Sequence, residues 1–142
     1  MKVLVIEDEP LAAERIELLV QKYDAALTIV AKIDSVEETL LWLNENYTPD
    51  LMLVDVQLSD GLSFEIFKKT NVRCPVIFTT AYDQYAIQAF KVNSIDYLLK
   101  PVTFADLSSA LDKFKTLKNI QSPLQIFDIQ ELINSVKNLN KT

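Results

Sequence analysis

The chain has 142 residues, of which 49% are hydrophobic and 24% are charged, as is typical of one soluble globular domain. It contains no histidine and one cysteine, Cys74, which excludes a histidine-ligated zinc site, a Ser-His or Cys-His nucleophile and an internal disulfide. The net charge of −6 provides no basic field for nucleic acid. No apolar run approaches the roughly 20 residues of a membrane span, and the start, MKVLVIEDEP, lacks a secretory signal. We therefore expect a cytoplasmic location and no membrane partner.

Five short apolar runs rich in β-branched residues predict β-strands. Each run is continuously apolar rather than alternating, which is typical of parallel strands that are buried on both faces. In chain order the runs are KVLVI (2–6), LTIVAKI (27–33), DLMLVD (50–55), PVIFTTA (75–81) and IDYLL (95–99).

Amphipathic stretches at helical spacing separate these runs. The first two stripes consist of Leu11, Ala12, Ile16, Leu19, Val20 and Tyr23, and of Val36, Leu40, Leu41 and Leu43. The second stripe follows a capping box, Ser35-x-x-Glu38. The repeated alternation of strand and helix predicts right-handed crossovers and an α/β fold, namely a doubly wound five-stranded parallel sheet with helices on both faces. We expect Trp42 in the core and Cys74 as a small buried residue.

The pattern changes near the end of the chain. The stretch TLKNIQSPLQ, from Thr116, has a linker-like composition, and the lysines just before and within it, 113, 115 and 118, predict a solvated helix face. Asp128-x-x-Glu131 then opens an apolar stripe of Ile129, Leu132, Ile133 and Val136. We predict a domain over residues 1–118 and a linker with an appended amphipathic helix over 119–142. That helix either packs on its own domain or serves as a signalling or dimer helix.

Charged residues follow two of the predicted strands directly. The first strand runs into Glu7, Asp8 and Glu9, and the third ends on Asp55. Ligands of open parallel sheets bind beyond the carboxyl ends of the strands, where the strand order reverses. If these strands are neighbours there, their carboxylates converge, at a high cost unless a positive charge lies among them. Such hard oxygen ligands suit Mg²⁺, with Mn²⁺ as an alternative.

The last two strands supply the complementary groups. The fifth ends on Lys100, followed by Pro101, and the fourth offers the hydroxyls of Thr79 and Thr80. A carboxylate nucleophile, a metal, a lysine and a hydroxyl around one point predict phosphoryl transfer, which depends on positioning and charge neutralisation. Taken singly, each residue has a structural explanation: an acidic residue complementing the helix that Pro10 opens, a turn aspartate, a solvated lysine or a strand threonine.

These residues together resemble the receiver domains of bacterial two-component response regulators. The resemblance covers residues 1–118 and rests on the acidic run, Asp55, Thr80-Ala81 and Lys100-Pro101. Four sequence segments are similar to those of the subgroup with a LytTR-type DNA-binding output domain: IEDEPLAAERI, DVQLSDGLSFEIF, FTTAYDQYAIQAF and IDYLLKP. The resemblance implies the flavodoxin-like strand order 2-1-3-4-5, which the alternation of strands and helices does not determine.

The resemblance also implies roles for individual residues. Asp55 would accept a phosphoryl group from a sensor histidine kinase, while Lys100, preceding a cis bond to Pro101, would hold a phosphoryl oxygen. The implied Mg²⁺ ligands are Asp8 directly, Glu7 through water, Asp55 and the Gln57 carbonyl. The N–H groups of Val56 and Ala81 would contact phosphoryl oxygens. Thr80 and Tyr97 would be the residues that move when the domain switches state.

The resemblance implies a regulatory domain rather than an enzyme, acting on DNA only by way of an output domain. We hypothesise that a homodimer forms on phosphorylation, because an acidic domain without an output domain has little else to act through. The loop from Asp55 to Gly61 is two residues shorter than the commonest family pattern, so the lifetime of the phosphoryl group is left open. No LytTR-type domain follows in this sequence, which favours a piece of a longer protein over a free-standing receiver. The sequence also leaves open a pseudo-receiver, a phosphatase with an aspartate nucleophile and a flavin-binding module.

Overall fold

The computed structural model describes residues 1–81 and 94–120. Its main sheet contains five strands, β1 Lys2–Ile6, β2 Thr28–Ile33, β3 Leu51–Asp55, β6 Val76–Thr80 and β7 Asp96–Leu99. A small hairpin, β4 Gln57–Leu58 and β5 Gly61–Leu62, follows β3. The helices are α1 Pro10–Tyr23, α2 Val36–Glu45, α3 Phe64–Lys69 and α4 Phe104–Ile120.

The main sheet is parallel throughout and has the order β2-β1-β3-β6-β7. This order confirms the predicted doubly wound fold, because the five strands in chain order are arranged 2-1-3-4-5. The chain moves outward from β1 to β2 and then crosses to β3 on the other side of β1. The switch point of the sheet therefore lies between β1 and β3, the two strands that precede the acidic residues.

Alternate residues of β1 point into two separate hydrophobic clusters. Val3 and Val5 belong to the cluster on the face covered by α1 and α4, whereas Leu4 and Ile6 belong to the cluster under α2 and α3. All four side chains are at most 1% exposed. Helices therefore cover both faces of the sheet, as the continuous apolar pattern predicts, and the central strands are held rigidly between them.

The prediction that all five strands are buried on both faces was wrong for β2 and β7. Only Ile33 of β2 and Leu98 of β7 are buried. Within residues 1–81 and 94–120, both strands lie at the ends of the strand order, so each has a neighbouring strand on one side only. An apolar sequence does not reveal which strand becomes an edge.

Some residues of the predicted helical stripes are also exposed. Leu11 of α1 and Leu41 of α2 are 81% and 55% exposed, since the buried arc of α1 runs instead through Ala13, Ile16 and Val20. Trp42 is half-buried against the cluster under α2 and α3. The capping prediction holds for its first bond, because Ser35 Oγ accepts a hydrogen bond of 3.1 Å from the Glu38 N–H.

The last described helix extends further than composition indicates. α4 passes through Thr116, where the composition predicts a linker, and is described as far as Ile120. Ion pairs fasten its last turns to the domain: Lys115 Nζ lies 2.9 Å from Asp24 Oδ2, and Lys118 Nζ lies 2.8 Å from Asp50 Oδ1. The lysine run is thus not a purely solvated face. The predicted appended helix, which Asp128 opens, lies outside the described residues, and the boundary at 118/119 stays a prediction.

Cys74 is half-buried beside the cluster under α2 and α3, close to its predicted position. Burial raises the pKa of its thiol to about 12, so the thiol stays protonated at neutral pH and is a poor nucleophile. Within residues 1–81 and 94–120, no helix has the length and apolar content needed to cross a membrane.

Candidate functional site

A cleft of about 610 Å³ lies at the carboxyl edge of the sheet, at the switch point. The strand register explains which residues reach it. Ile6 pairs with Val54, so Glu7 and Asp55 leave their strands side by side. Thr80 pairs with Leu99, so Lys100 follows immediately at the same edge. The lining residues are Asp8, Glu9, Asp55, Gln57, Leu58, Gly61, Leu62, Thr80, Ala81 and Lys100.

The centre of the site is an ion-pair cluster formed by residues that are distant in sequence. Lys100 Nζ donates to Glu7 Oε2 at 2.8 Å and to Asp55 Oδ2 at 2.9 Å. Glu7 and Asp55 are each only 6% exposed. The ammonium group therefore joins two buried carboxylates that would otherwise repel each other, as the spacing of these residues at the strand ends predicts.

The pKa values of Glu7 and Lys100 in this cluster have different physical causes. Burial raises the pKa of Glu7 to about 7, and the negative charge of Asp55 adds to this, against the hydrogen bonds from Lys100 and the Glu9 N–H. Burial alone lowers the pKa of Lys100, but its hydrogen bonds to Glu7 and Asp55 outweigh burial and raise it. Lys100 is therefore a permanent cation, while Glu7 changes its charge near neutral pH.

The site carries a donor set for a hard divalent cation. One carboxylate oxygen each from Glu7, Asp8 and Asp55 lies within 4.8 Å of the others. Carboxylate oxygens are the ligands that Mg²⁺ prefers in proteins, and Asp8 borders the open cleft, where water or phosphate oxygens could complete the coordination. The residues present therefore fit Mg²⁺ or a similar ion such as Mn²⁺.

Only some of the predicted hydroxyl and main-chain N–H groups lie where the predicted phosphoryl contacts need them. Thr80 and Ala81 line the cleft, whereas Thr79 is not among its lining residues. The Val56 N–H donates to the Thr79 carbonyl at 2.9 Å, so the role predicted for this N–H does not fit the structure. Main-chain N–H groups alternate in direction along a strand, and the next one, from Gln57, faces Asp55 Oδ1 at 3.4 Å.

Tyr97, the predicted switch aromatic, lies outside the cleft. It pairs with Phe78 across the sheet and is half-buried against the cluster under α2 and α3. The peptide bond between Lys100 and Pro101 is cis, as the resemblance implies. The sequence did not predict that one wall of the cleft is a hairpin, formed by Gln57, Leu58, Gly61 and Leu62. Gly61 was the only local signal for it.

The pKa of Glu7 leads to a pH prediction for the metal-free protein. Because its pKa is raised from 4.5 to about 7 in the folded state, the stability it contributes is present below pH 4.5 and is lost as the pH rises through 7. Lys100, whose pKa is raised, contributes a constant amount over this range. We expect the free energy of unfolding in urea, with a chelator present, to be lower at pH 8 than at pH 5.5.

The matched variant for this measurement is Glu7→Gln, which keeps the side-chain shape and removes the titrating group. In this variant the decline between pH 5.5 and pH 8 should be much smaller. An equally steep decline in the variant would show that another group causes it.

The fold and the cleft together define a class: flavodoxin-like α/β domains with an acidic site at the switch point. A model of the response regulator receiver domain family matches residues 3–112. The chain therefore belongs to the response regulator receiver domain family, a family of signalling domains.

Curated relatives place the chain near a particular group of response regulators. It is 40% identical over 124 residues to the sensory transduction protein LytT of Bacillus anthracis, over 85% of this chain and 50% of the relative. It is 37% identical over 124 residues to a positive alginate biosynthesis regulatory protein of Pseudomonas aeruginosa, with the same coverage. The chain thus spans about half the length of the curated relatives it matches. These relatives confirm the predicted resemblance to the LytTR-type subgroup.

Solved structures agree on the fold. The response regulatory domain of protein mrkE from Klebsiella pneumoniae matches with a TM-score of 0.75 and 29% identity, over 85% of this chain and all of that one. A response regulator receiver domain protein from Clostridium thermocellum matches with a TM-score of 0.70 and 29% identity, over 85% of this chain and 98% of that one.

Proposed function

We propose that the chain is the phospho-accepting switch of a two-component system, with Asp55 as the phosphoacceptor. The observation that carries this proposal is the contact of the Lys100 ammonium with both Asp55 and Glu7 at the switch point. A nucleophilic carboxylate with a fixed cation beside it suits phosphoryl transfer, in which the protein supplies positioning and charge neutralisation.

The chemical step is a single displacement at phosphorus. An Asp55 carboxylate oxygen forms the new P–O bond, the P–N bond of the kinase phosphohistidine breaks, and the histidine nitrogen leaves with the electron pair. Lys100 holds a phosphoryl oxygen, and the Thr80 hydroxyl and the Ala81 N–H contact the others. The cleft side of the Asp55 carboxylate is open to a donor, since Asp55 lines the cleft.

Glu7, Asp8, Asp55 and the Gln57 carbonyl would hold Mg²⁺ or Mn²⁺. When bound, the ion neutralises charge on the transferring group. This role agrees with the three convergent carboxylates, which outnumber the one lysine paired with them in the part of the chain that the structure describes.

Phosphorylation would add roughly −1.5 to −2 of charge at Asp55. Lys100 stabilises this charge, the Thr80 hydroxyl follows the new acceptor oxygens, and Tyr97 turns inward. The surface that changes would include β7, α4 and the segment DQYAIQAFKV (83–92). This segment lies outside the described residues. A partner that prefers the altered surface then reads the phosphate.

We propose a sensor histidine kinase and a second copy of this domain as the partners. DNA would be reached only through an output domain, by way of the linker and helix of residues 119–142. The names of the relatives support this assignment, since one of them, from Staphylococcus aureus, is a transcriptional regulatory protein LytR with 36% identity over 121 residues. The proposed domain over 1–118 is a regulatory unit and not an enzyme with a separate substrate.

The test is the intact mass of the protein after incubation with Mg²⁺ and a small acyl phosphate. We expect a gain of one phosphoryl group that requires Mg²⁺ and is absent from Asp55→Asn, because the amide is not a nucleophile. Light scattering on the same samples tests pairing, which should increase with the phosphoryl group.

Two different results would contradict the proposal. A folded protein that binds Mg²⁺ but gains no mass would be a pseudo-receiver that acts by protein contact alone. Steady release of phosphate from a generic phosphate ester would instead indicate a phosphatase.

A further inference from the structure

One wall of the cleft is a very small hairpin. Its strands, β4 and β5, have two residues each and pair Gln57 with Leu62 and Leu58 with Gly61. Among the described residues these strands pair only with each other, as a sheet separate from the main one. A two-stranded hairpin of this size is not stable by itself. Its position beside Asp55 must therefore be fixed by contacts with the rest of the domain.

Some of these contacts are hydrophobic, since Leu58 is 7% exposed and belongs to the cluster under α2 and α3. Hydrogen bonds also connect the turn of the hairpin to the start of α2. Asp60 accepts hydrogen bonds from the Val36 N–H at 2.8 Å and the Glu37 N–H at 3.1 Å, one on each carboxylate oxygen. Ser59 Oγ donates to the Asp34 carbonyl at 3.2 Å. These N–H groups have no partner within the helix, because the first turn of any helix leaves its donors unsatisfied.

The start of α2 thus has two caps of different origin. Ser35, in the chain just before the helix, accepts from the Glu38 N–H at 3.1 Å. Asp60 satisfies the two preceding donors from the hairpin. The hydrogen bond from Val36, followed by that from Glu37, also holds the pKa of the Asp60 carboxyl below its usual range. Both caps stabilise the helix, but only Asp60 also connects it to the cleft wall.

We propose that Asp60 is a positioning residue of the phosphoryl site. By bonding to the first turn of α2, it fixes the hairpin and with it the Gln57 carbonyl and Leu58, which line the cleft. Asp60 itself does not line the cleft, so it acts through these residues. It thereby sets the affinity of the site for Mg²⁺ and the lifetime of the phosphoryl group on Asp55. This inference rests on the function proposed above.

The experiment compares three variants with the unsubstituted chain. Asp60→Ala removes both bonds, Asp60→Asn removes the charge but keeps one acceptor oxygen, and Ser35→Ala removes the other cap of the same helix. For each we would measure amide hydrogen exchange of residues 57–62 without metal, Mg²⁺ affinity by calorimetry, and the decay of phosphorylated protein by intact mass.

For Asp60→Ala we expect faster amide exchange in the hairpin and a changed rate of phosphoryl loss. Mg²⁺ binding should be weaker by roughly 3- to 10-fold, which is at or below the usual effect of losing a residue that supports a metal ligand. Asp60→Asn should lie nearer the unsubstituted protein, and Ser35→Ala should leave Mg²⁺ affinity and hairpin exchange unchanged. This combination would show that the hydrogen bonds to α2, and not charge or helix fraying, position the site.

The remaining outcomes overturn the inference. Equal effects of Ser35→Ala and Asp60→Ala would assign the change to fraying of α2, and equal effects of the two Asp60 variants would assign it to the lost charge. Unchanged affinity and exchange in Asp60→Ala would show that the hairpin is fixed by different contacts. If the unsubstituted chain binds Mg²⁺ but takes no phosphoryl group, the proposed function fails, while affinity and exchange still decide the role of Asp60.

Discussion

Replacing Lys100 with methionine is expected to slow phosphorylation from a small acyl phosphate by about 10²- to 10³-fold, the usual effect of removing one preorganised group that stabilises transition-state charge. The physical reason is the position of the ammonium, which lies 2.9 Å from Asp55 Oδ2 and 2.8 Å from Glu7 Oε2. Methionine has a similar length and no charge, so it leaves two buried carboxylates facing each other without a cation.

The same change should destabilise the metal-free domain, and more so at pH 8 than at pH 5.5. With Lys100 present, Glu7 has a pKa of about 7, so the ionised Glu7 that Lys100 stabilises is populated at pH 8 and largely absent at pH 5.5. The measurements are the initial rate of mass gain with saturating Mg²⁺ and urea unfolding with a chelator present. Lys113→Met is the matched control. Lys113 pairs with Asp96 at 3.0 Å on the surface, where its side chain is 54% exposed, and such pairs contribute little. Similar rates for the two variants would contradict the role of Lys100.

Replacing Phe78 with alanine is expected to lower the free energy of unfolding by about 3 to 5 kcal/mol, the usual cost of truncating a buried aromatic side chain. Phe78 is completely buried in β6. Its ring meets those of Phe64 and Phe67 edge to face, with centroids 5.1 and 5.6 Å away. The substitution leaves a cavity between the sheet and α3, which the surrounding rigid strands cannot fill.

The control for Phe78 is an aromatic residue without a packing role. Tyr47 is 92% exposed, so Tyr47→Ala should change stability by no more than about 0.5 kcal/mol. Urea unfolding of the two variants at one pH, with Mg²⁺ constant, checks both values. A loss below about 1 kcal/mol for Phe78→Ala would contradict this packing of the three rings, since even well-relaxed sites lose the transfer free energy of the removed atoms.

Both predictions follow from the way the sheet holds the site. Asp55 is the last residue of a strand whose five residues are all buried, and Glu7 follows a strand with four buried residues. Strands fixed on both faces hold functional side chains more exactly than loops can. Core packing at Phe78 therefore keeps the strands rigid, and the ends of these strands carry the side chains of the site, including Lys100.

The sequence by itself determined the sheet, the helices and most of the site. Continuous apolar runs and helical stripes are local signals, and parallel topology brings the ends of the strands to one edge. Once the runs are assigned, the positions of Glu7, Asp8, Asp55, Thr80 and Lys100 at that edge follow from where each run stops. The structure places these residues at that edge, although their catalytic and ligand roles stay predictions.

Only the tertiary structure decided the features that depend on contacts between distant segments. The sequence did not show that β2 and β7 are only partly buried, that the Val56 N–H is bonded to Thr79, or that a hairpin forms one wall of the cleft. It also did not connect Asp60 with the Val36 N–H, 24 residues earlier in the chain. Local propensity does not predict such partners. The hydrogen-bond partner of a main-chain N–H and the burial of a strand are decided only when separate elements pack together.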